Sequence, residues 1–138
     1  MADRVHLEVV TPTELVLETE ADLVVVPGGD GDFGVLPGHA PLISTLRPGT
    51  IDVYEGDKIA GRVFVESGFV EVSPQGVSVV AEAATPTGDI DAKEAEARLN
   101  QAREARYAAT TDVARQVADA EVAAAEAMLR AVQPAERH

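Results

Sequence analysis

The sequence contains no cysteine and no tryptophan, and only 4% of its 138 residues are aromatic. Without cysteine the chain has no disulfide framework, no thiolate metal site and no cysteine nucleophile. Because aromatic residues are so few, a hydrophobic core has to be built from Val, Leu, Ile and Ala, within an apolar content of 46%.

Long apolar runs are also missing. No stretch approaches the roughly 18 residues that a membrane-spanning helix requires. The N-terminus, Met1-Ala2-Asp3-Arg4, is polar and lacks the apolar region of a signal peptide. We therefore expect a protein that stays in the compartment where it is made and does not insert into the membrane.

Basic side chains are scarce, with 11 Lys and Arg against 24 Asp and Glu and a net charge of −13. Residues 1–88 carry 4 basic and 14 acidic side chains, and residues 89–138 carry 7 and 10. This balance argues against nucleic acid and anionic lipid, both of which attract clustered Lys and Arg. The expected partners are proteins, some with basic loops, although the charge could also serve only solubility.

Composition changes sharply near residues 84–90. Val, Gly and Pro dominate before this point, whereas Ala, Glu and Arg dominate after it, with Pro134 as the one later proline. The segment Ala84-Thr85-Pro86-Thr87-Gly88-Asp89 has the residue types of a linker. We place a domain boundary there and expect domains at residues 1–86 and 87–138.

The first domain consists of short runs typical of strands. Val5-His6-Leu7-Glu8-Val9 alternates apolar and polar residues, as a half-buried strand does. Further runs lie at 15–17, 23–26, 51–54, 62–66, 69–72 and 77–80, with turn residues such as Ser67-Gly68 between them. A parallel sheet would need crossover helices. The pattern therefore predicts an antiparallel sandwich or barrel, and we expect a β-sandwich of about ten short strands.

The second domain shows helical periodicity. The first predicted helix has one apolar face, formed by Ala92, Ala95, Leu99 and Ala102. The second predicted helix repeats the pattern at Val113, Val117, Ala120, Ala124 and Met128. Thr110-Thr111-Asp112 suits a turn and an N-cap. We expect an antiparallel α-helical hairpin whose Ala seam buries little area, so that it is marginal alone and able to detach from the sandwich.

A glycine-rich segment, Gly29-Asp30-Gly31-Asp32-Phe33-Gly34, matches the G-x-G-x-x-G pattern. A dinucleotide loop must open a helix, and Pro37, Gly38 and Pro41 follow here, while the aspartates would repel phosphate. Asp30 and Asp32 also lack the downstream ligands of a calcium loop. We interpret the segment as an exposed acidic turn.

Nothing in the sequence forms a catalytic or metal-binding set. His6, His39 and His138 lack the spacing of a zinc site, and neither a nucleophile elbow nor a phosphate-binding lysine motif occurs. His39 beside Asp32 could form an acid/base pair, but a loop histidine held by backbone hydrogen bonds is favoured. We expect no enzyme activity, no metal and no cofactor.

The most specific pattern is the stretch Gly31-Asp32-Phe33-Gly34-Val35-Leu36-Pro37-Gly38-His39-Ala40-Pro41-Leu42, continuing to Leu46 and Gly49. It resembles the signature of the ε subunit of bacterial F-type ATP synthases, which is the δ subunit in mitochondria. Glu66 to Val72 and His6 to Pro12 are also similar to segments of that family.

The resemblance implies a non-catalytic rotor subunit of the central stalk. Such a subunit binds the γ subunit and the ring of c subunits, coupling proton translocation to ATP synthesis at the cytoplasmic face of the bacterial inner membrane. The loop from Asp30 to His39 would face the c-ring. The interface residues that this implies are Asp30, Gly31, Asp32, Phe33, Gly34, Pro37, His39 and Pro41.

The hairpin departs from the family. Many members carry an ATP-sensing motif, I/L-D-x-x-R-A, and the matching positions here are Ile90, Asp91, Glu94 and Ala95. Glu94 replaces the arginine, which reverses a charge that would face phosphate. Asp91 and Glu94 also fit the start of a helix, as N-cap and N3. We therefore expect weak or absent ATP binding.

The family's inhibition of ATP hydrolysis, in which the hairpin meets acidic β-subunit residues, needs basic side chains on the second helix. That helix has Arg115 and Arg130 against four acids, which are Asp112, Asp119, Glu121 and Glu126. We expect weak inhibition, with α and β subunits as further contacts of the hairpin.

Two other interpretations remain open from the sequence. One is an unrelated acidic adaptor made of a sandwich and a helical tail. The other is a small enzyme with a cleft between the two domains, which the absence of a paired catalytic set disfavours.

Overall fold

Eight strands, one 3-10 turn and two α-helices make up the described residues, 3–132, of the computed structural model. These residues divide into two compact units, the first ending at Pro86 and the second beginning at Thr87. Pro134 and His138 lie outside the described residues. The fold class predicted from the sequence, a β-sandwich followed by a helical hairpin, is confirmed.

The strands follow one another along the first unit, and their bounds are β1 Val5–Val10, β2 Leu15–Ala21, β3 Leu23–Gly28, β4 Gly31–Val35, β5 Leu42–Thr45, β6 Gly49–Glu55, β7 Lys58–Ser73 and β8 Gly76–Pro86. Their hydrogen-bonded order is β2-β1-β8-β7-β6-β3-β4, and β5 pairs with β7. The long strand β7 pairs with β8 along one edge. Its other edge pairs first with β6 and then with β5.

Within the described residues the strand pattern differs from the prediction in four ways, the first being that there are eight strands instead of about ten. The segments 62–66 and 69–72 are parts of the single strand β7, because Ser67 and Gly68 adopt positive φ values of 48° and 125° without ending the β8 ladder. The sheet is also not wholly antiparallel, since β1 and β8 run parallel from His6↔Gly76 onward. The segment 31–35, predicted as a turn, forms β4.

Alternating side chains fill the sandwich core. In β1 the residues Val5, Leu7 and Val9 are buried, and the residues between them are half-buried, as the period of two predicts. The core cluster consists mainly of valines, among them Val24, Val65 and Val79, with Ile51 and Leu46. β-branched residues suit this role because they pack well on a pleated surface.

The second unit contains α1 (Ala92–Ala108) and α2 (Asp112–Ala131). Asp91 caps α1 by accepting a hydrogen bond from the Lys93 backbone N–H at 2.9 Å, and Thr111 caps α2 through the Ala114 N–H at 3.1 Å. Both caps lie where the sequence predicted a helix start.

The seam between the helices agrees with the prediction in α1 but only in part in α2. Its buried cluster is Leu99, Ala102, Val122 and Ala125, with Leu129 against it. Ala92, in the first turn of α1, is exposed. In α2 the predicted face was right at Ala124, which is buried, and wrong at Val113 and Val117, which are 71% and 66% exposed. The buried residues of α2 are Ala118, Val122, Ala124, Ala125, Ala127 and Ala131. The helical spacing of Val113 and Val117 alone did not show which apolar residues contact α1.

Gly68 is the residue whose replacement should damage the sandwich most. An added Cβ would lie 2.0 Å from the Val80 carbonyl oxygen and 2.9 Å from the Ala81 Cα, which are backbone atoms that cannot move aside. We predict that Gly68→Ala lowers the free energy of unfolding by roughly 3 kcal/mol, since steric overlap adds to the strained φ. Denaturant unfolding of the full chain measures it.

Gly61 provides the matched control in the same strand. Its added Cβ would meet nothing nearer than the Val53 Cβ at 4.0 Å, so Gly61→Ala should change the free energy of unfolding by less than about 1 kcal/mol. Equal effects of the two substitutions would contradict the role assigned to Gly68.

Candidate docking surface

The segment 28–41, here called the corner, begins with a tight hairpin. Strands β3 and β4 pair antiparallel with Gly28 opposite Gly31, so that only Gly29 and Asp30 form the turn. A Cβ on Gly28 would lie 2.8 Å from the Phe33 ring, and one on Gly29 would lie 2.4 Å from the Thr45 hydroxyl oxygen. Within the G-x-G-x-x-G pattern, Gly29 therefore permits close packing and Gly31 supplies a positive φ of 140°. Both belong to a hairpin, and the next element is strand β5.

The segment 45–47 clamps this hairpin from the side. Gly29 donates a backbone hydrogen bond to the Thr45 carbonyl oxygen at 2.9 Å, and Arg47 donates one to the Pro27 carbonyl oxygen at 3.0 Å. The Arg47 guanidinium also donates to the Gly28 carbonyl oxygen at 2.7 Å and forms an ion pair with Asp32. Side chain and backbone thus hold the hairpin at several points.

The rest of the corner is a proline–glycine turn. Gly38 has a φ of 78°, and the His39 N–H donates to the Leu36 carbonyl oxygen at 3.2 Å. The His39 ring nitrogen Nδ1 lies 2.6 Å from the Ala40 carbonyl oxygen, to which it donates. His39 is therefore held by backbone, as the sequence analysis favoured.

The structure brings the eight residues of the predicted interface together along the corner. Asp30, Gly31, Asp32, Gly34 and Pro41 are exposed, while Phe33, Pro37 and His39 are half-buried. The Phe33 ring packs against the sandwich core and supports the corner from below. The exposed acidic group at the tip is Asp30, since Asp32 is paired with Arg47.

An apolar surface that the sequence analysis missed lies beside the corner. Phe69 and Val80 are directly paired on β7 and β8, and Val80 is paired with Val10 on β1. Phe69 is 50% exposed and Val80 is 37% exposed. We call Val10, Phe69 and Val80 the outer band. The sequence feature that could have predicted this surface is the two consecutive apolar pairs, Phe69-Val70 and Val79-Val80. Successive side chains of a strand point to opposite faces, so one member of each pair must lie on the outer face.

The outer band continues into the corner through β5. Thr45 is the register partner of Phe69, and its carbonyl oxygen is the acceptor for Gly29 at the hairpin. Ile43, two residues earlier in β5, is 69% exposed. Strand β5 therefore connects the charged corner with the outer band, because it hydrogen-bonds to the hairpin and pairs with β7.

The residues that match the ATP-sensing motif form the start of α1. The Asp91 carboxylate accepts from the Lys93 N–H, Ala95 is fully buried, and Glu94 is exposed in the first turn of α1. Ile90 is half-buried. The carboxylate of Asp91 thus has a structural partner in the chain itself.

Several hairpin arginines are paired with acids of the same hairpin. Arg98 donates to Glu121 at 2.5 Å, Arg106 lies 2.8 Å from Asp119, and Arg115 lies 2.7 Å from Asp112. These pairs are at least partly exposed, so each contributes little to stability. They do reduce the positive charge that the hairpin presents outward.

Arg4, just before β1, has a displaced pKa. Arg4 donates to the Glu55 carboxylate and, at 2.7 Å, to the Glu20 carbonyl oxygen. The hydrogen bond with Glu55 raises the pKa of the Arg4 guanidinium, which is protonated in any case. Arg4 thus has a structural role, joining the start of β1 to the β6–β7 turn.

Within residues 3–132, neither helix is long and apolar enough to cross a membrane.

A family model described as "ATP synthase, Delta/Epsilon chain, beta-sandwich domain" matches residues 4–87.

Relatives match the chain over nearly its whole length. A protein named ATP synthase epsilon chain from Paramagnetospirillum magneticum is 45% identical over 132 residues, covering 96% of this chain and 99% of the relative. A protein of the same name from Maricaulis maris is 44% identical over 128 residues, covering 93% and 96%. The family resemblance seen in the sequence is confirmed.

Solved structures share the fold. A chain of the Euglena gracilis mitochondrial ATP synthase, in a structure of OSCP, F1 and the c-ring, aligns with a TM-score of 0.81 at 20% identity, covering 94% of this chain and 82% of that one. A chain of the Tetrahymena thermophila mitochondrial ATP synthase, from its central stalk and c-ring, gives 0.67 at 14% identity and covers 96% and 98%.

Proposed function

Because this chain belongs to the delta/epsilon family of ATP synthase subunits, we propose that it is a non-catalytic rotor subunit of the central stalk, binding the γ subunit and the ring of c subunits. In this role it couples proton translocation to ATP synthesis and uses no cofactor. Its place is the cytoplasmic face of the bacterial inner membrane, peripheral and as part of F1.

The observation that carries this proposal is that β5 links the clamped corner to the exposed outer band, through the hydrogen bond from Gly29 to Thr45 and the pairing of Thr45 with Phe69. A rotor subunit must transmit torque, so its docking surface cannot deform under load. The hydrogen bonds of Arg47 and Gly29 supply that stiffness at the corner.

We assign the corner to the c-ring. Asp30 stands exposed at the hairpin tip, in a unit with a large excess of acidic side chains. Such a tip is complementary to basic loops, and complementary charges set orientation and suppress wrong partners.

We assign the outer band to the γ subunit. Phe69 offers half of its ring to solvent, with Val80 and Val10 in line and Ile43 on the neighbouring strand. Exposed aromatic side chains flanked by aliphatic ones are the usual anchors of protein interfaces. Glu71, the register partner of Ile43 on β7, would contribute to a polar rim.

Phe69→Ser tests the assignment to γ. We predict that it weakens binding of the purified chain to purified γ by at least about tenfold, because a buried aromatic anchor contributes more than 1.4 kcal/mol. Isothermal titration measures it. Tyr107→Ser is the control, since Tyr107 is a 95% exposed aromatic residue of the hairpin. Equal loss in both variants, or none in Phe69→Ser, would contradict the assignment.

Asp30→Lys tests the assignment to the c-ring. We predict lower proton-driven ATP synthesis in reconstituted vesicles, by several-fold, with ATP hydrolysis by detached F1 unchanged, because repulsion from basic loops weakens only the contact with the ring. Asp57→Lys makes the same charge change in the exposed β6–β7 turn and should leave synthesis unchanged. The assignment fails if Asp57→Lys has the same effect.

The hairpin, residues 87–138, is proposed as a regulatory arm with weak or absent ATP binding and weak inhibition of ATP hydrolysis, with α and β as its contacts. Two contacts support this. Asp91 is engaged in capping α1, and Arg115 is paired with Asp112, so the second helix presents little free positive charge.

Deletion of residues 89–138 tests both properties in the assembled enzyme. We predict that ATPase activity rises by no more than about twofold, which is about 0.4 kcal/mol in the barrier, and by the same factor at low and high ATP. Steady-state ATPase assays of the two assemblies measure this. A large rise would show strong inhibition, and a rise confined to low ATP would show sensing.

A further inference from the structure

Three potential metal ligands lie on the outer face of β1 and β2, away from the corner. Glu8 is directly opposite Glu18 in the antiparallel register of the two strands. His6 lies two residues before Glu8 and therefore on the same face. His6 and Glu8 are half-buried, and Glu18 is exposed.

The ligand atoms of these side chains converge. One ring nitrogen of His6 and one carboxylate oxygen of each glutamate all lie within 4.8 Å of one another. The His6 Nε2 is already 3.1 Å from Glu18 Oε2. Three donors around a tetrahedral ion at about 2.1 Å would be separated by about 3.4 Å, a contraction that glutamate rotamers can supply.

The two glutamate side chains carry like charges at paired positions, Glu8 opposite Glu18. Like charges directly opposite each other on neighbouring strands destabilise a sheet. In the part of the chain that the structure describes, His6 is the one basic side chain that pairs with Glu18, and Glu8 has no ion pair. A cation between the two carboxylates would remove this repulsion.

We propose that His6, Glu8 and Glu18 bind one divalent transition-metal ion, of which Zn²⁺ is the representative. An imidazole nitrogen with two carboxylates is a donor set that suits Zn²⁺, whereas Mg²⁺ and Ca²⁺ take oxygen ligands. Three protein ligands leave a fourth position for water.

The surroundings give that position access to solvent. His6 and Glu8 also line a shallow groove with Glu71, Ser73 and Gln75. Gly76 forms its edge, where an added Cβ would lie 2.3 Å from the His6 carbonyl oxygen. The bound ion joins β2, which ends the strand order, to β1, and so stabilises an edge of the sandwich.

Titration of the full chain with ZnCl₂ tests the proposal. Isothermal titration should give one ion per chain, with affinity at least about tenfold lower in His6→Ala and in Glu18→Gln, and at least about tenfold lower for Mg²⁺ on the unmodified chain. Glu82→Gln, the same charge change at an exposed position of β8, should keep the unmodified affinity. Unchanged affinity in both ligand variants, or equal affinity for Mg²⁺, would overturn the site.

Glu8→Gln provides a second, independent measurement. Without metal it should raise the melting temperature, because the repulsion with Glu18 is relieved. It should also abolish the rise in melting temperature that Zn²⁺ gives the unmodified chain. If Zn²⁺ stabilises Glu8→Gln as much as the unmodified chain, Glu8 is no ligand and the proposed site is wrong.

Discussion

The sandwich depends on the close approach of β7 and β8 at Gly68. This residue has a positive φ, and the Val80 carbonyl oxygen lies so close that a Cβ on Gly68 would be 2.0 Å from it. The Gly68 carbonyl oxygen accepts a hydrogen bond from the Leu46 N–H at 3.0 Å. Gly68 thereby allows one strand to pair with β6 before the distortion and with β5 after it. Because β5 carries Ile43 and Thr45, this backbone conformation also positions the surface proposed for docking.

The corner shows how a glycine- and proline-rich segment can be stiff. Glycine lets the backbones of neighbouring segments approach within contact distance, and Arg47 and Thr45 then hold the hairpin through hydrogen bonds. The same arginine neutralises Asp32, so the charge of the corner is concentrated at Asp30. Rigidity and charge are therefore set by the same few contacts.

The hairpin is built on a different principle. Its seam contains Leu99 and Val122, but otherwise mostly alanine, so it buries little apolar area and depends on its caps and surface ion pairs. Separating the two helices therefore costs little free energy, which suits the proposed regulatory arm. Its paired Arg115 and its capping Asp91 support the weak regulation proposed above.

The sequence by itself determined the two-part organisation, the strand character of the first part, the caps at Asp91 and Thr111, and the family. These depend on local chemistry: alternation, turn residues and a motif that is contiguous along the chain. The α1 face was also predictable from Leu99, because one large apolar residue marks the buried side.

Only the tertiary structure decided the rest. The continuity of β7, the parallel pairing of β1 with β8, the clamp by Arg47 and the convergence of His6, Glu8 and Glu18 all join residues distant in sequence. The buried face of α2 was also decided only there, because Val113 and Val117 are as apolar as Val122 but lie outside the seam. Local patterns fix which residues can pair or be buried, but the partner across the sheet or the seam fixes which of them are.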